Sequence, residues 1–165
     1  MFELTTTKMK RSKILIMLAL LGVSASFLQC GSDPKPATNP QDEQLTKLSQ
    51  TWKVSTSTAA SPVTFNSTPV TGYDSFTLTM SGTAGNATFN FTSSGRPAGI
   101  KTPWDASGTF TFGTDFNTVI KRNDDILVTY SVSATQLELT FTYTGAGFTG
   151  RTSNVEGTWK FKFGI

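Results

Sequence analysis

The chain contains no histidine and a single cysteine, Cys30, among its 165 residues. Without histidine there is no imidazole for proton transfer near neutral pH, no Ser-His-Asp or Cys-His nucleophile, and none of the commonest zinc sites. With one cysteine no internal disulfide can form. Charge is also sparse, at 15% of residues. Fourteen Lys and Arg oppose eleven Asp and Glu, a net of +3. Four of the former (Lys8, Lys10, Arg11, Lys13) and one of the latter (Glu3) lie in the first 29 residues, so the remainder balances at ten against ten. A neutral body of this kind lacks the clustered cations that nucleic-acid binding requires, and no nucleic-acid partner is expected. These absences argue against an enzyme and against any cofactor or metal. Carboxylate-only chemistry is left open, since two acids suffice for glycoside hydrolysis. Its candidates would be pairs drawn from Asp74, Asp105, Asp115, Glu138 and Glu156.

What is present begins with an address. Lys8 to Lys13 form a basic segment, an apolar run follows from Ile14 to Val23, and Ser24, Ala25 and Ser26 are small. That order predicts a secretory signal peptide over residues 1–29. Met9 offers an alternative start, because Met-Lys-Arg-Ser-Lys is itself a sufficient basic segment. Read to Leu28 the apolar run is fifteen residues, short of the roughly 20 that a membrane-spanning helix needs. Phe27-Leu28-Gln29-Cys30 resembles a bacterial lipobox, in which the mature protein starts at an acylated cysteine. Gln29 stands where that motif prefers a small residue. The alternative is cleavage near Ala25 with Cys30 left as a free thiol. Lipidation is favoured because the only cysteine lies at the end of the apolar run and a polar segment follows it. The membrane is then a partner through the lipid on Cys30. Residues 30–44, with Pro34, Pro36 and Pro40 among polar side chains, bury too little to offset their ordering entropy and read as a disordered tether. As polyproline II at roughly 3 Å per residue it would reach about 40 Å. By resemblance to lipoprotein sorting in Gram-negative bacteria, Gly31 in place of aspartate implies the outer membrane within the cell envelope.

From residue 45 to 165, after a short helical turn around Leu45 to Leu48, period-2 alternation takes over. Trp52, Val54 and Thr56 share a face, as do Phe76, Leu78 and Met80; Phe89 and Phe91; and Phe110 and Phe112. Longer rows are Ile126, Val128, Tyr130 and Val132, then Leu137, Leu139, Phe141 and Tyr143, and finally Val155, Gly157, Trp159, Phe161 and Phe163. Intervening positions are mostly Thr, Ser, Asn, Lys and Glu, the pattern of an antiparallel sheet with one wet face. Further strands are expected at Val63 to Phe65 and Val119 to Lys121. The class is therefore all-β, with eight or nine strands closing into an up-and-down antiparallel barrel or folding into a β-sandwich.

Leu48-Ser49-Gln50-Thr51-Trp52-Lys53-Val54 resembles the opening Leu-x-Gly-x-Trp strand of lipocalin-like proteins, with Gln50 where glycine is usual. Gly108 to Phe112, Leu137 to Phe141 and Gly157 to Phe161 are similar to segments of the lipocalin-like lipoproteins of Bacteroidota. The resemblance covers residues 45–165 and implies a lipocalin-like barrel, a family whose members mostly have no assigned ligand.

Two readings of the aromatic row follow. It packs a solid core, which an eight-stranded barrel is about narrow enough to allow, or it lines a cup for a small hydrophobic ligand. The residues of such a cup would be Trp52, Trp104, Phe110, Phe112, Tyr130, Phe141, Tyr143 and Trp159. Trp104 lies in the irregular segment from Ser93 to Ala106 and would be a lid, a stacking platform for a sugar ring, or a plug for one end of the core. Lys121-Arg122-Asn123-Asp124-Asp125 reads as a hairpin turn with solvated charges. Two functions remain open: a carrier of a small apolar molecule, and a surface interaction module that recognises glycan or protein through its loops. A purely structural role in the envelope is the third possibility.

Overall fold

The computed structural model describes residues 39–55, 61–98, 102–147 and 155–165. Cys30, the signal segment, Thr56 and most of the tether lie outside the described residues.

The first element is a helix, α1 (Pro40–Leu48). Asn39 caps it, its side chain accepting from the Gln41 N–H at 3.0 Å, and Pro40 stands at the first turn. Both features start helices, and Asp42 and Glu43 suit the positive end of the dipole. The helix thus begins five residues before the turn expected at Leu45. Residues 40–44, read from composition as the end of the tether, form its first turns. Composition weighs apolar content alone; here a cap, a proline and two acids nucleate a helix that only Leu45 and Leu48 need to bury.

Ten strands follow: β1 (Thr51–Val54), β2 (Val63–Phe65), β3 (Thr68–Pro69), β4 (Thr77–Ser81), β5 (Thr88–Ser94), β6 (Ser107–Phe112), β7 (Val119–Arg122), β8 (Leu127–Val132), β9 (Gln136–Tyr143) and β10 (Gly157–Gly164). All pairings are antiparallel. The order β1-β4-β5-β6-β7-β8-β9-β10 closes through Lys53↔Gly164 and Val54↔Phe163, so eight strands form a lipocalin-like barrel. β2 takes over from β1 along the other half of β10 at Phe161↔Val63 and Trp159↔Phe65, and β3 hangs on β2. Proline at β3 blunts that outer edge, since it has no N–H to offer a further strand.

Alternation decides which side chains fill the barrel. β5 alternates exposed and buried along its whole length, with Phe89, Phe91 and Ser93 inside. β9 buries Leu137, Leu139, Phe141 and Tyr143, and β10 buries Trp159, Phe161 and Phe163. On the outer wall Lys160 reaches Glu138 at 2.6 Å and Lys162 reaches it at 3.8 Å. These pairs are half exposed and contribute at most about 1 kcal/mol each.

The helix closes the lower end. Leu48 offers its carbonyl to Trp52 Nε1 at 2.9 Å, Asp42 accepts from the Gly85 N–H at 2.8 Å, and Gln44 donates to Asn117 at 3.1 Å. Gly85 and Asn117 lie in the β4–β5 and β6–β7 turns, so α1 lies over both. Gly82 makes the seat possible, because a Cβ there would come within 2.8 Å of Leu45 Cδ1 and 2.6 Å of Phe89 Cβ. At the opposite, upper end β5, β7 and β9 finish and β6, β8 and β10 begin.

Candidate functional site: the upper mouth

The ladder between β5 and β6 ends at Thr92↔Ser107. Beyond it the chain leaves β5 at Gly95, whose φ of +63° and whose approach to the Ser75 carbonyl leave no room for a side chain. It returns through Thr102, Pro103 and Trp104. Bonds outside the regular ladder hold the return. Tyr73 Oη donates to Thr102 Oγ1 at 3.2 Å, Ser93 Oγ to the Asp105 carbonyl at 2.5 Å, and Arg96 to the Trp104 carbonyl at 3.4 Å.

Trp104 is directed into the lumen and is fully buried. Its ring lies 5.5 Å from Phe141, 5.7 Å from Phe91, 5.8 Å from Phe161 and 6.1 Å from Phe76, within the range of favourable aromatic pairs. Of the roles open to it, the plug is the one it plays. Below it Phe161 stacks on Phe141, Trp159 and Phe163 with centroids about 6 Å apart.

Over the indole lies Arg122, only 2% exposed. Its Cζ is 4.9 Å from the Trp104 ring, 5.5 Å from Phe141 and 5.9 Å from Tyr143. Nη1 donates to the Pro103 carbonyl at 2.9 Å, and Nη2 meets Asp124 Oδ2 at 2.6 Å. Burial pulls the guanidinium pKa down, and the Asp124 carboxylate pushes it back. Burial likewise raises the Tyr143 phenol, which the backbone of Gly147 and the charge of Arg122 counter. Among the described residues, Arg122 Nε and Trp104 Nε1 are buried with no hydrogen-bond acceptor.

The placing of Arg122 corrects the reading of residues 121–125 as a turn with solvated charges. Lys121 and Asp125 do face solvent and pair at 2.7 Å. Arg122 does not, because it shares the parity of buried Ile120 on β7 and therefore points inward. The signal lay in that parity; the run of charges obscured it.

The eight residues expected to line a cup are spread over several levels of the barrel. Trp104, Phe141 and Tyr143 gather on Arg122. Trp159 packs on Phe65, Tyr73 and Phe161, and its Nε1 donates to the Val155 carbonyl at 2.8 Å. Phe110 lies against Phe89 and Phe91. Phe112 is only partly buried and touches Phe89 and Phe116. Tyr130 donates to the Phe116 carbonyl near the lower end, and Trp52 belongs to the helix seat. Each fills its own level of the barrel. Two hollows of about 470 and 250 Å³ lie on the outer wall, the first by Leu127, Thr129, Thr140 and Thr142, the second by Ser131, Gln136, Glu138 and Lys162.

Burial raises the phenols of both Tyr73 and Tyr130 to about 12. A raised folded-state pKa stabilises the fold below the unfolded value near 10, and that contribution is lost as pH climbs through the folded value. Stability should therefore hold to about pH 10 and fall between about 10 and 12. Denaturation midpoints across that window check this, and Tyr73→Phe should flatten the fall.

Comparison with family models, with curated proteins and with solved structures returns no match to this chain.

Proposed function

We propose that the chain is a lipid-anchored lipoprotein of the cell envelope, held at the outer membrane through Cys30, whose lipocalin-like barrel serves as a tethered binding module. Its working end is the upper mouth, where glycan or protein would be met by the loops, and not a large enclosed cup. The observation that carries this reading is the wholly buried Trp104, which occupies the upper lumen where a carrier would hold its cargo. The basic segment, the short apolar run and the solitary cysteine support the anchor. Several acyl chains at about 0.8 kcal/mol per buried methylene would hold the domain firmly.

The test uses cells producing the full chain and its Cys30→Ala variant. Wild type should take up labelled fatty acid and sediment with membranes, and the variant should do neither. Native mass spectrometry of the detergent-extracted protein should show covalent acyl mass and no further bound lipid. Equal labelling of both forms would remove the anchor. A stoichiometric apolar ligand would return the carrier reading.

A further inference from the structure

Backbone pairing runs all round the barrel, but between β8 and β9 it stops short of the upper end. That ladder finishes at Thr129↔Thr140. Beyond it β8 continues to Leu127 against β7, through Lys121↔Leu127, and β9 continues to Tyr143 against β10, through Gly157↔Tyr143. Neighbouring ladders are prolonged at this end by further main-chain bonds, from Ser93 N–H to Ala106 at 2.8 Å, Arg122 N–H to Ile126 at 2.9 Å and Asn123 N–H to Thr109 at 3.0 Å. Leu127 and Thr142 would form the next pair between β8 and β9, and they do not. Successive residues of an antiparallel strand turn their N–H and C=O to opposite sides. The Tyr130 N–H bonds to the Thr118 carbonyl beside β7, so the main-chain groups of Leu127 face β9 and those of Thr142 face β8. The two strands thus part into a seam edged by peptide donors and acceptors that the ladder leaves unpaired.

The seam opens into the outer-wall hollow of about 470 Å³, a size within the range of small-ligand sites, roughly 300–1,000 Å³. Four threonines, Thr129, Thr140, Thr142 and Thr158, line it. Leu127 is 61% exposed, one of two large apolar side chains so exposed among the described residues. Asp125 at the rim is already taken by Lys121 at 2.7 Å, and among the described residues no Lys or Arg lines the hollow. Behind it the Phe141 ring packs on Trp104 and Arg122. The floor is therefore solid, and a ligand lies on the wall without displacing the plug.

We infer that this seam binds a short neutral saccharide of a glycan. A hydroxyl both donates and accepts, so a row of sugar hydroxyls matches an edge that offers N–H, C=O and threonine hydroxyls together. The C–H face of a sugar ring lies on Leu127. An anion would find no cation in the hollow, and an apolar molecule would cover the peptide groups without pairing them, at a cost. An added peptide strand needs a longer free edge than one missing pair. The saccharide deepens the reading of the upper mouth as the working end, and rests on it.

The test uses the full-length protein in detergent. Amide exchange followed by NMR should be at least about tenfold faster at Leu127 and Thr142 than at the paired Thr129 and Thr140, the scale of one lost hydrogen bond. On an array of neutral oligosaccharides of hexose and N-acetylhexosamine with their sulfated counterparts, neutral members should be retained and sulfated ones not. Adding the best-retained saccharide should slow exchange at Leu127 and Thr142. Leu127→Asp, with an unchanged thermal midpoint, should weaken retention about tenfold or more, the scale of one lost contact. Thr88→Ala, on the outer face of β5, should bind as wild type does. Slow exchange at Leu127 and Thr142 in the free protein, retention of no neutral saccharide, or undiminished retention by Leu127→Asp would overturn the inference. Failure of the upper-mouth reading itself would be seen separately, as a co-purifying lipid in the mass spectrum.

Discussion

Trp104→Ala should lower the unfolding free energy by about 3–5 kcal/mol, the range for removing a large aromatic from a packed core. Four rings and a guanidinium close on this indole. The barrel is closed by backbone pairing on all sides, so its walls cannot collapse far into the space left behind. The substitution also removes the face on which Arg122 rests, a contact worth about 1–2 kcal/mol when desolvated. Urea denaturation of the two proteins gives the comparison, with an unchanged slope showing that the folded state stays compact. A loss below about 1 kcal/mol would mean that the indole is not a core residue.

Phe161→Ala should have an effect of similar size, about 3–5 kcal/mol. Phe161 is fully buried and touches Tyr73, Phe76, Trp104, Phe141, Trp159 and Phe163 with centroids no farther than 6.1 Å. It links the plug to the lower half of the barrel. Phe112 makes the useful contrast: it is partly buried and leans on two rings. Its replacement by alanine should cost clearly less. Equal losses at both positions would contradict the assignment of depth along the barrel.

The strands were legible in the sequence because alternation is a local property that closure of the barrel preserves. Every described position in the rows from Trp52 to Phe163 faces inward or is partly buried, and Val63–Phe65 is a strand as expected. β3, two residues long, has no period to read. The helix start was obscured by weighing composition over capping. At the mouth, the plug role of Trp104 was among the readings available, but its neighbours were not. Those come from Phe76, Phe91, Phe141 and Phe161 on four separate segments, and no spacing in the chain encodes their meeting. Arg122 was the reverse case. Its inward parity with Ile120 was present, yet a charged residue beside two aspartates reads as solvated unless something pairs it inside. Asp124 on the same turn and the rings of β9 supply part of that pairing, and the folded return of residues 102–104 adds Pro103 and Trp104.

The central claim is that the upper lumen is filled by the chain's own indole. The most direct measurement is the thermal midpoint of wild type and Trp104→Ala with and without free indole. The variant should melt lower and recover part of the loss as indole enters the vacated slot, while wild type, with no room to offer, should be unchanged. A wild-type midpoint that rises with indole as much as the variant's would mean that the lumen is open, and would contradict the account.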